Sequence, residues 1–203
     1  MASIPLSTPI VMLHGLGGKP VTLLPTEWML RFRYGYSNVF RPAYPVDSFR
    51  NLERCLDVLD LILLEMGLDK QTPLVVIGQS MGGVYANKLH ERGWQVLLSI
   101  TIGSPLNGAR LLTQLEPIVP EVIKRALHKP PYDHLKQMLP ASAPPHPYKT
   151  ITLGWALSDF DGCVYKSDAM IDPEHNTHLA FADHRTIFAN PRLGYTLAQM
   201  IKA

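Results

Sequence analysis

Four apolar residues, Leu74-Val75-Val76-Ile77, run directly into Gly78-Gln79-Ser80-Met81-Gly82-Gly83, and a helix-compatible segment follows. A strand that ends this way has to turn sharply into a helix. Gly78 and Gly82 let the flanks of such a turn come closer than side chains would allow, while the backbone at Ser80 is held strained. The pattern is Gly-x-Ser-x-Gly, and its strand-turn-helix context raises it above a chance match. A serine hydroxyl is a poor nucleophile at neutral pH. It becomes one when it is lifted into reach, offered to a general base and faced by donors for the oxyanion it creates. Those partners have to come from elsewhere in the chain.

Further apolar, β-rich runs lie at Ile10–Leu13, Val96–Ile102 and Ile151–Leu153, and segments with helical period separate them. This alternation predicts a parallel sheet wrapped by helices. Val96–Ile102 is almost continuously apolar and so suits a central strand covered on both faces. The clearest helix is predicted from Ser48 to about Met66, where Phe49, Leu52, Leu56, Leu59, Leu63 and Met66 form one face. Its other face carries Arg50, Glu53, Arg54, Asp57 and Asp60, and Gly67 ends it. A last helix starts with Asn190 as N-cap and Pro191 at the first helical position. Between Gly103 and Thr150 lie nine of the 18 prolines. There, two or three short helices joined by irregular chain are expected, forming either an ordinary crossover or a cap at 105–148 over a substrate pocket.

At 203 residues, 46% hydrophobic and 18% charged, the chain reads as one soluble domain with a substantial core. Its formal net charge of +2 comes without a basic stripe interleaved with aromatics, so nucleic acid is not an expected partner. Cys55 and Cys163 form no metal-ligand spacing, and Cys55 falls on the predicted helix as a small buried residue. No metal and no cofactor is expected. The N-terminus has no signal-peptide pattern, and no apolar stretch approaches the roughly 20 residues that cross a bilayer. A cytoplasmic location is the expectation from these two observations.

After the first strand comes His14-Gly15-Leu16-Gly17-Gly18, a glycine-rich turn that can approach the serine. This turn, paired with Gly78-Gln79-Ser80-Met81-Gly82-Gly83, resembles the α/β-hydrolase fold, and specifically small lipases and esterases that open with HGxGG. The resemblance implies a trimmed, mostly parallel sheet of about six strands flanked by helices, with a small helical cap insertion. It also implies an oxyanion hole made by the backbone N–H groups of Leu16 and Met81. In that family the histidine follows the last strand and precedes a C-terminal helix. His184 fits this position, with Leu179-Ala180-Phe181 as the last strand, and His178 and then His175 stand behind it. His14 comes too early and is expected to brace the oxyanion turn. His128, His134 and His146 are expected at the surface.

The acid belongs after the penultimate strand, in Ser158-Asp159-Phe160-Asp161-Gly162. Asp161 is preferred because Asp161-Gly162-Cys163-Val164-Tyr165-Lys166-Ser167 resembles the DGxVxxxS run that carries the acid in many lipases, and Asp159 stays open as the alternative. Asp183 adjoins His184 in sequence and so is poorly placed to orient it. Gly103-Ser104-Pro105 resembles a lipase strand end, with Ser104 structural. One departure is Gln79, where many lipases carry histidine, although that position has no part in the triad. A second is that the chain starts almost at the HG-bearing strand, which leaves no room for two leading strands of larger relatives.

The expected activity is hydrolysis of a small-molecule or lipid-like carboxylic ester through an acyl-enzyme on Ser80. The apolar residues Leu106, Leu111, Leu112, Leu115, Ile118 and Val119 point to an apolar acyl group or simply cover the sheet. A thioesterase or acyltransferase would use the same residues, and a non-catalytic binding protein on this fold is a third reading. A dinucleotide-binding domain is excluded, because no GxGxxG opens a helix after the first strand.

Overall fold

The computed structural model describes residues 4–46, 52–108, 144–155 and 158–202. Its strands are β1 (Ile10–Leu13), β2 (Val39–Phe40), β3 (Leu74–Gln79), β4 (Val96–Ile102), β5 (Tyr148–Gly154) and β6 (Asn176–Ala180). They form one six-stranded sheet in the order β2-β1-β3-β4-β5-β6, and every neighbouring pair is parallel. A parallel sheet needs a crossover between strands, and crossovers put chain over its faces, so the inner strands are apolar on both sides. Thus β1 is buried along its whole length and β4 at all but one position.

Alternate residues of these strands feed two cores. Ile10, Met12, Val75, Ile77, Ile100 and Ile102 pack with Leu23, Leu30, Leu193 and Leu197. Val11, Leu13, Leu74 and Val76 pack with Leu56, Leu59, Leu63, Val84 and Leu89. The first set lies under the segment Pro20–Arg33 and the C-terminal helix α5 (Pro191–Lys202), and the second under α2 (Leu52–Glu65) and α3 (Met81–Glu91). A short helix α4 (Lys166–Ala169) lies between β5 and β6 in the chain.

The helix predicted from Ser48 is described from Leu52, residues 47–51 lying outside the described residues. It ends as the sequence predicts. Gly67 takes φ 82°, its N–H donates to Leu64 O at 3.0 Å, and Leu68 N–H reaches Leu63 O at 3.1 Å, which closes both ends of a Schellman motif. Asp60, expected on the solvent face, is buried. It accepts from the Trp94 indole N–H at 2.7 Å and from Arg92 Nε at 3.0 Å, while Arg92 also pairs with Glu53 and Asp57. The acidic row of α2 is therefore a clamp on the chain leaving α3. At the other end of the molecule Asn190 caps α5, its Oδ1 accepting from Arg192 N–H at 3.0 Å.

One departure has a local cause, and two elements carry no sequence expectation. The last strand runs Asn176–Ala180 rather than Leu179–Phe181, because an edge strand tolerates half-exposed polar residues and Phe181, at φ 59°, has already left the ladder. Strand β2 has two residues, too few for any period to show. The segment Pro20–Arg33 winds through a 3₁₀ turn (Pro20–Leu23), α1 (Leu24–Trp28) and a π-helical turn (Met29–Arg33).

Leu106 is fully buried in the α2 and α3 core, so it covers the sheet. Of the cap expected over 105–148, residues 109–143 lie outside the described residues, and with them Leu111, Leu112, Leu115, Ile118 and Val119. Among the described residues, no helix is long and apolar enough to cross a membrane.

Candidate active site

Strand β1 has β2 on one side and β3 on the other, so the chain leaves the sheet in opposite directions from the carboxyl ends of β1 and β3. In open parallel sheets, that reversal leaves a crevice where ligands bind. His14-Gly15 follows β1 there and Ser80 follows β3. Ser80 sits at φ 54° and ψ −124°, in the left-handed half of the map that side chains avoid. Its turn is held from both sides, Ser80 N–H donating to Ile102 O at 2.9 Å and Gly83 N–H to Ser80 O at 3.0 Å.

The glycines are there for contact. A Cβ at Gly78 would lie 2.2 Å from Gly82 O, and one at Gly82 would lie 2.3 Å from Leu13 O and 2.8 Å from His14 O. Those are backbone atoms of the first turn of α3, of β1 and of the turn after it, with no side chain free to swing away. Gly82→Ala is therefore expected to lower the unfolding free energy by about 1–3 kcal/mol and to impair activity by moving the turn after β1. Gly67→Ala, with nothing within 4 Å but φ 82°, should cost about 1–2 kcal/mol and leave activity alone. Urea unfolding beside an activity assay separates the two, and a fully active Gly82→Ala variant would contradict the close approach.

The turn after β1 closes through Gly18 N–H to Gly15 O at 3.0 Å, with Gly17 at φ 68°. It passes so near the serine that a Cβ on Gly15 would lie 2.7 Å from Ser80 Cβ. Leu16 turns its side chain outward at 47% exposure, while Met81 is buried as the first residue of α3, where helix N–H groups have no intrahelical acceptor. His14 is buried, stacks on Tyr44 with ring centroids 4.6 Å apart, and accepts the Tyr44 O–H on its carbonyl at 2.6 Å. Burial holds its imidazole below the ordinary histidine pKa. Tyr44, between Ala43 and Pro45, carries no sequence signal for this bracing role.

Asp161 and His184 meet across the ends of β5 and β6. His184 Nδ1 lies 2.7 Å from Asp161 Oδ2, and His184 N–H donates to the Asp161 carbonyl at 3.0 Å. The other carboxylate oxygen accepts from Cys163 N–H at 2.8 Å and Val164 N–H at 2.7 Å, in a turn that Gly162 makes at φ 98°. With Asp161 as acceptor, Nδ1 carries the proton, and in the neutral ring Nε2 then keeps its lone pair. Gly103 ends β4 just beneath this pair, and a Cβ there would lie 2.9 Å from Asp161 Oδ2 and 3.2 Å from His184 Nδ1. Gln79 Nε2 donates to the His184 carbonyl at 3.0 Å. Among the described residues Ser80 and His184 share no hydrogen bond. Such contacts are often long before substrate enters.

The remaining candidates lie apart. The Asp159 carboxylate is 78% exposed and 3.9 Å from Lys166 Nζ. His175 pairs with Asp172 at 2.9 Å, and His178 Nδ1 lies 3.1 Å from Thr152 Oγ1. Asp183 accepts from Arg185 and Thr186 N–H groups and so shapes the turn after His184. Ser104 is buried, its hydroxyl 3.4 Å from Gly78 O. His128 and His134 lie outside the described residues. His146 is not at the surface: it is buried with Nε2 3.0 Å from Ser99 Oγ and its ring 4.6 Å from that of His90. Burial and the neighbouring His90 bring its pKa down to about 4. No sequence signal marks this burial, since the Ser99 hydroxyl it meets also donates to Asn87 Oδ1 at 3.0 Å.

No protein-family model matches the sequence, and no curated protein matches it significantly. Solved structures do match over nearly the whole chain. Tomato methylketone synthase I superposes with a TM-score of 0.64 at 12% identity, over 96% of this chain and 97% of that one. The mature Bacillus licheniformis lipase BlEst2 gives 0.59 at 18% identity over 99% and 94%. The N-acyl homoserine lactonase AidH gives 0.60 at 16% over 98% and 90%. At these identities the likeness is one of architecture, and what it establishes, together with the strand order and the sharp turn at Ser80, is that this chain has the α/β-hydrolase fold.

Proposed function

We propose that this chain is a serine hydrolase of carboxylic esters, with Ser80 as nucleophile, His184 as base and Asp161 as the acid that orients it. The observation that carries the reading is the buried Asp161–His184 pair at 2.7 Å, at the same end of the sheet as a serine held at φ 54°. An imidazole fixed by a buried carboxylate on Nδ1 presents a basic Nε2, and a strained turn presents a hydroxyl. Asp159, exposed and turned to Lys166, has no such partner. A lipase and a lactonase among the structural neighbours support the choice of ester chemistry.

In the proposed reaction Ser80 Oγ attacks the ester carbonyl carbon while its proton passes to His184 Nε2. The carbonyl oxygen becomes an oxyanion, stabilised by the N–H groups of Leu16 and Met81. The C–O bond to the leaving alcohol then breaks, and His184 returns the proton to that oxygen. Water repeats the sequence on the acyl-enzyme, its proton going to His184 and its oxygen to the acyl carbon, and releases the acid. Each oxyanion donor contributes about 2.7–4 kcal/mol of transition-state stabilisation. Because the groups involved are main-chain N–H, side-chain replacement at Leu16 or Met81 should be mild.

The test is a panel of p-nitrophenyl esters of graded chain length beside acyl-CoA thioesters, run with the wild-type chain and Ser80→Ala. Ser80-dependent turnover of esters is the expected result. Ser80-dependent turnover confined to thioesters would move the protein to the thioesterase reading, and no Ser80-dependent turnover of either would leave a binding protein on a hydrolase fold.

A further inference from the structure

The geometry points to Gln79 as a positioning residue: its side-chain amide holds the main chain of His184, and with it the imidazole, at a fixed distance from the nucleophile next to it in sequence. This rests on the ester-hydrolase reading of Ser80 and His184. Gln79 is the last residue of β3, in register with Ile102 of β4, and is 9% exposed. Its Nε2 donates to the His184 carbonyl at 3.0 Å, across 105 residues of sequence. Its Oε1 lies 2.9 Å from where a Cβ on Gly15 would be, so the same amide packs against the turn proposed to hold the oxyanion.

His184 has three anchors. Its ring and its N–H both go to Asp161, at 2.7 and 3.0 Å, and its carbonyl goes to Gln79. The two Asp161 contacts fix the histidine to the loop after β5 and say nothing about its distance from β3. Among the described residues, the Gln79 bond is the one that joins the nucleophile's strand to the histidine's loop. Since Gln79 and Ser80 are adjacent in a β-strand end whose backbone is tied to β4, the amide acts as a short arm of fixed length from nucleophile to base. The buried His184 carbonyl needs a donor in any case.

An amide suits this place for a second reason. It donates at every pH and puts no charge beside an imidazole that becomes cationic during the reaction. A glutamate would keep the shape, but its ionised form has no proton to donate and faces a carbonyl oxygen. The titratable and charged side chains on the segments Gln79 touches are His14, beside Gly15, and Asp183, His184 and Arg185 around the carbonyl it holds, with Asp161 as the partner of His184.

The experiment measures inactivation by a fluorophosphonate, as separate kinact and KI, for wild type, Gln79→Ala, Gln79→Glu and Ser80→Ala between about pH 3.5 and pH 9, a range spanning carboxyl and imidazole titration. Gln79→Ala should lose about tenfold or more in kinact, as a misplaced base does, with KI within about twofold. Gln79→Glu, equal in volume to glutamine, should show a kinact ratio to wild type that falls as its carboxyl ionises and stays low at the highest pH. A constant ratio marks a role in volume alone and overturns the proposal. A ratio that recovers once imidazole is neutral marks a charge effect on the imidazolium and overturns it too, as do variants within twofold of wild type. If Gln79→Ala does not fold, the Gln79→Glu ratio decides alone. Labelling of Ser80→Ala would sink the hydrolase reading itself, whereas an unlabelled Ser80→Ala beside wild-type-like Gln79 variants would sink only the positioning role.

Discussion

Ser80→Ala is expected to remove ester turnover by a factor on the order of a million and to abolish fluorophosphonate labelling. The size follows from the role proposed for the serine. Without its oxygen no acyl-enzyme could form, and only binding and the proposed oxyanion donors would remain to favour attack by water. Those donors keep a residual ~10³–10⁴ over the uncatalysed reaction, so the variant should be slow and not inert. His184→Ala should lose nearly as much, and the double variant scarcely more than either, because groups acting on one proton and one bond fail together. Folding offers a check on the same residue. Alanine at φ 54° is as strained as serine, so Ser80→Ala should unfold at an unchanged urea midpoint. Ser80→Gly relieves a conformation that costs about 1–3 kcal/mol and should unfold later. Undiminished labelling of Ser80→Ala would sink the assignment of the nucleophile, and an unshifted Ser80→Gly midpoint would remove the claim of stored strain.

The parts of the molecule legible in the sequence are those where one physical demand dominates. Val96–Ile102 had to be a central strand because only burial on both faces accounts for so continuous an apolar run, and β4 lies between β3 and β5. The turn at Ser80 was legible because its glycines answer to backbone atoms 2.2–2.3 Å from the positions their side chains would fill. His184, which the structure pairs with Asp161, could be singled out only through its place before Asn190-Pro191, since eight histidines share its chemistry. Elsewhere two demands compete. Asp60 reads as a solvent-facing residue of α2 until Trp94 and Arg92 supply a donor each. His146, among prolines, reads as surface because the core residues it meets, Ser99 and His90, are distant in sequence. The contact of Gln79 could not be read at all, because the carbonyl it holds belongs to a residue 105 positions away.

Asp161→Asn should lower kcat by about 10⁴ and Asp159→Asn should leave it unchanged, although the two carboxylates stand two residues apart. The loss at Asp161 is one of protons more than of charge. An asparagine amide facing His184 Nδ1 can donate, and a donor there drives the proton to Nε2, which then has no lone pair for the Ser80 hydroxyl. The same substitution would also take stabilisation from the imidazolium that forms if Ser80 gives up its proton as proposed. The turn should survive, because the Oδ1 position can still accept from Cys163 and Val164 N–H at 2.8 and 2.7 Å. Unfolding midpoint and KM are thus expected near wild type while kcat collapses. At high pH, where hydroxide replaces the general base, the Asp161→Asn deficit should narrow. Asp159, 78% exposed and 3.9 Å from Lys166, can lose its charge without any change at His184. Full activity in Asp161→Asn with loss in Asp159→Asn would transfer the acid's role and require the loop after β5 to adopt another arrangement. Equal losses in both would mean that the loop's fold, and not the one hydrogen bond at 2.7 Å, is what His184 depends on.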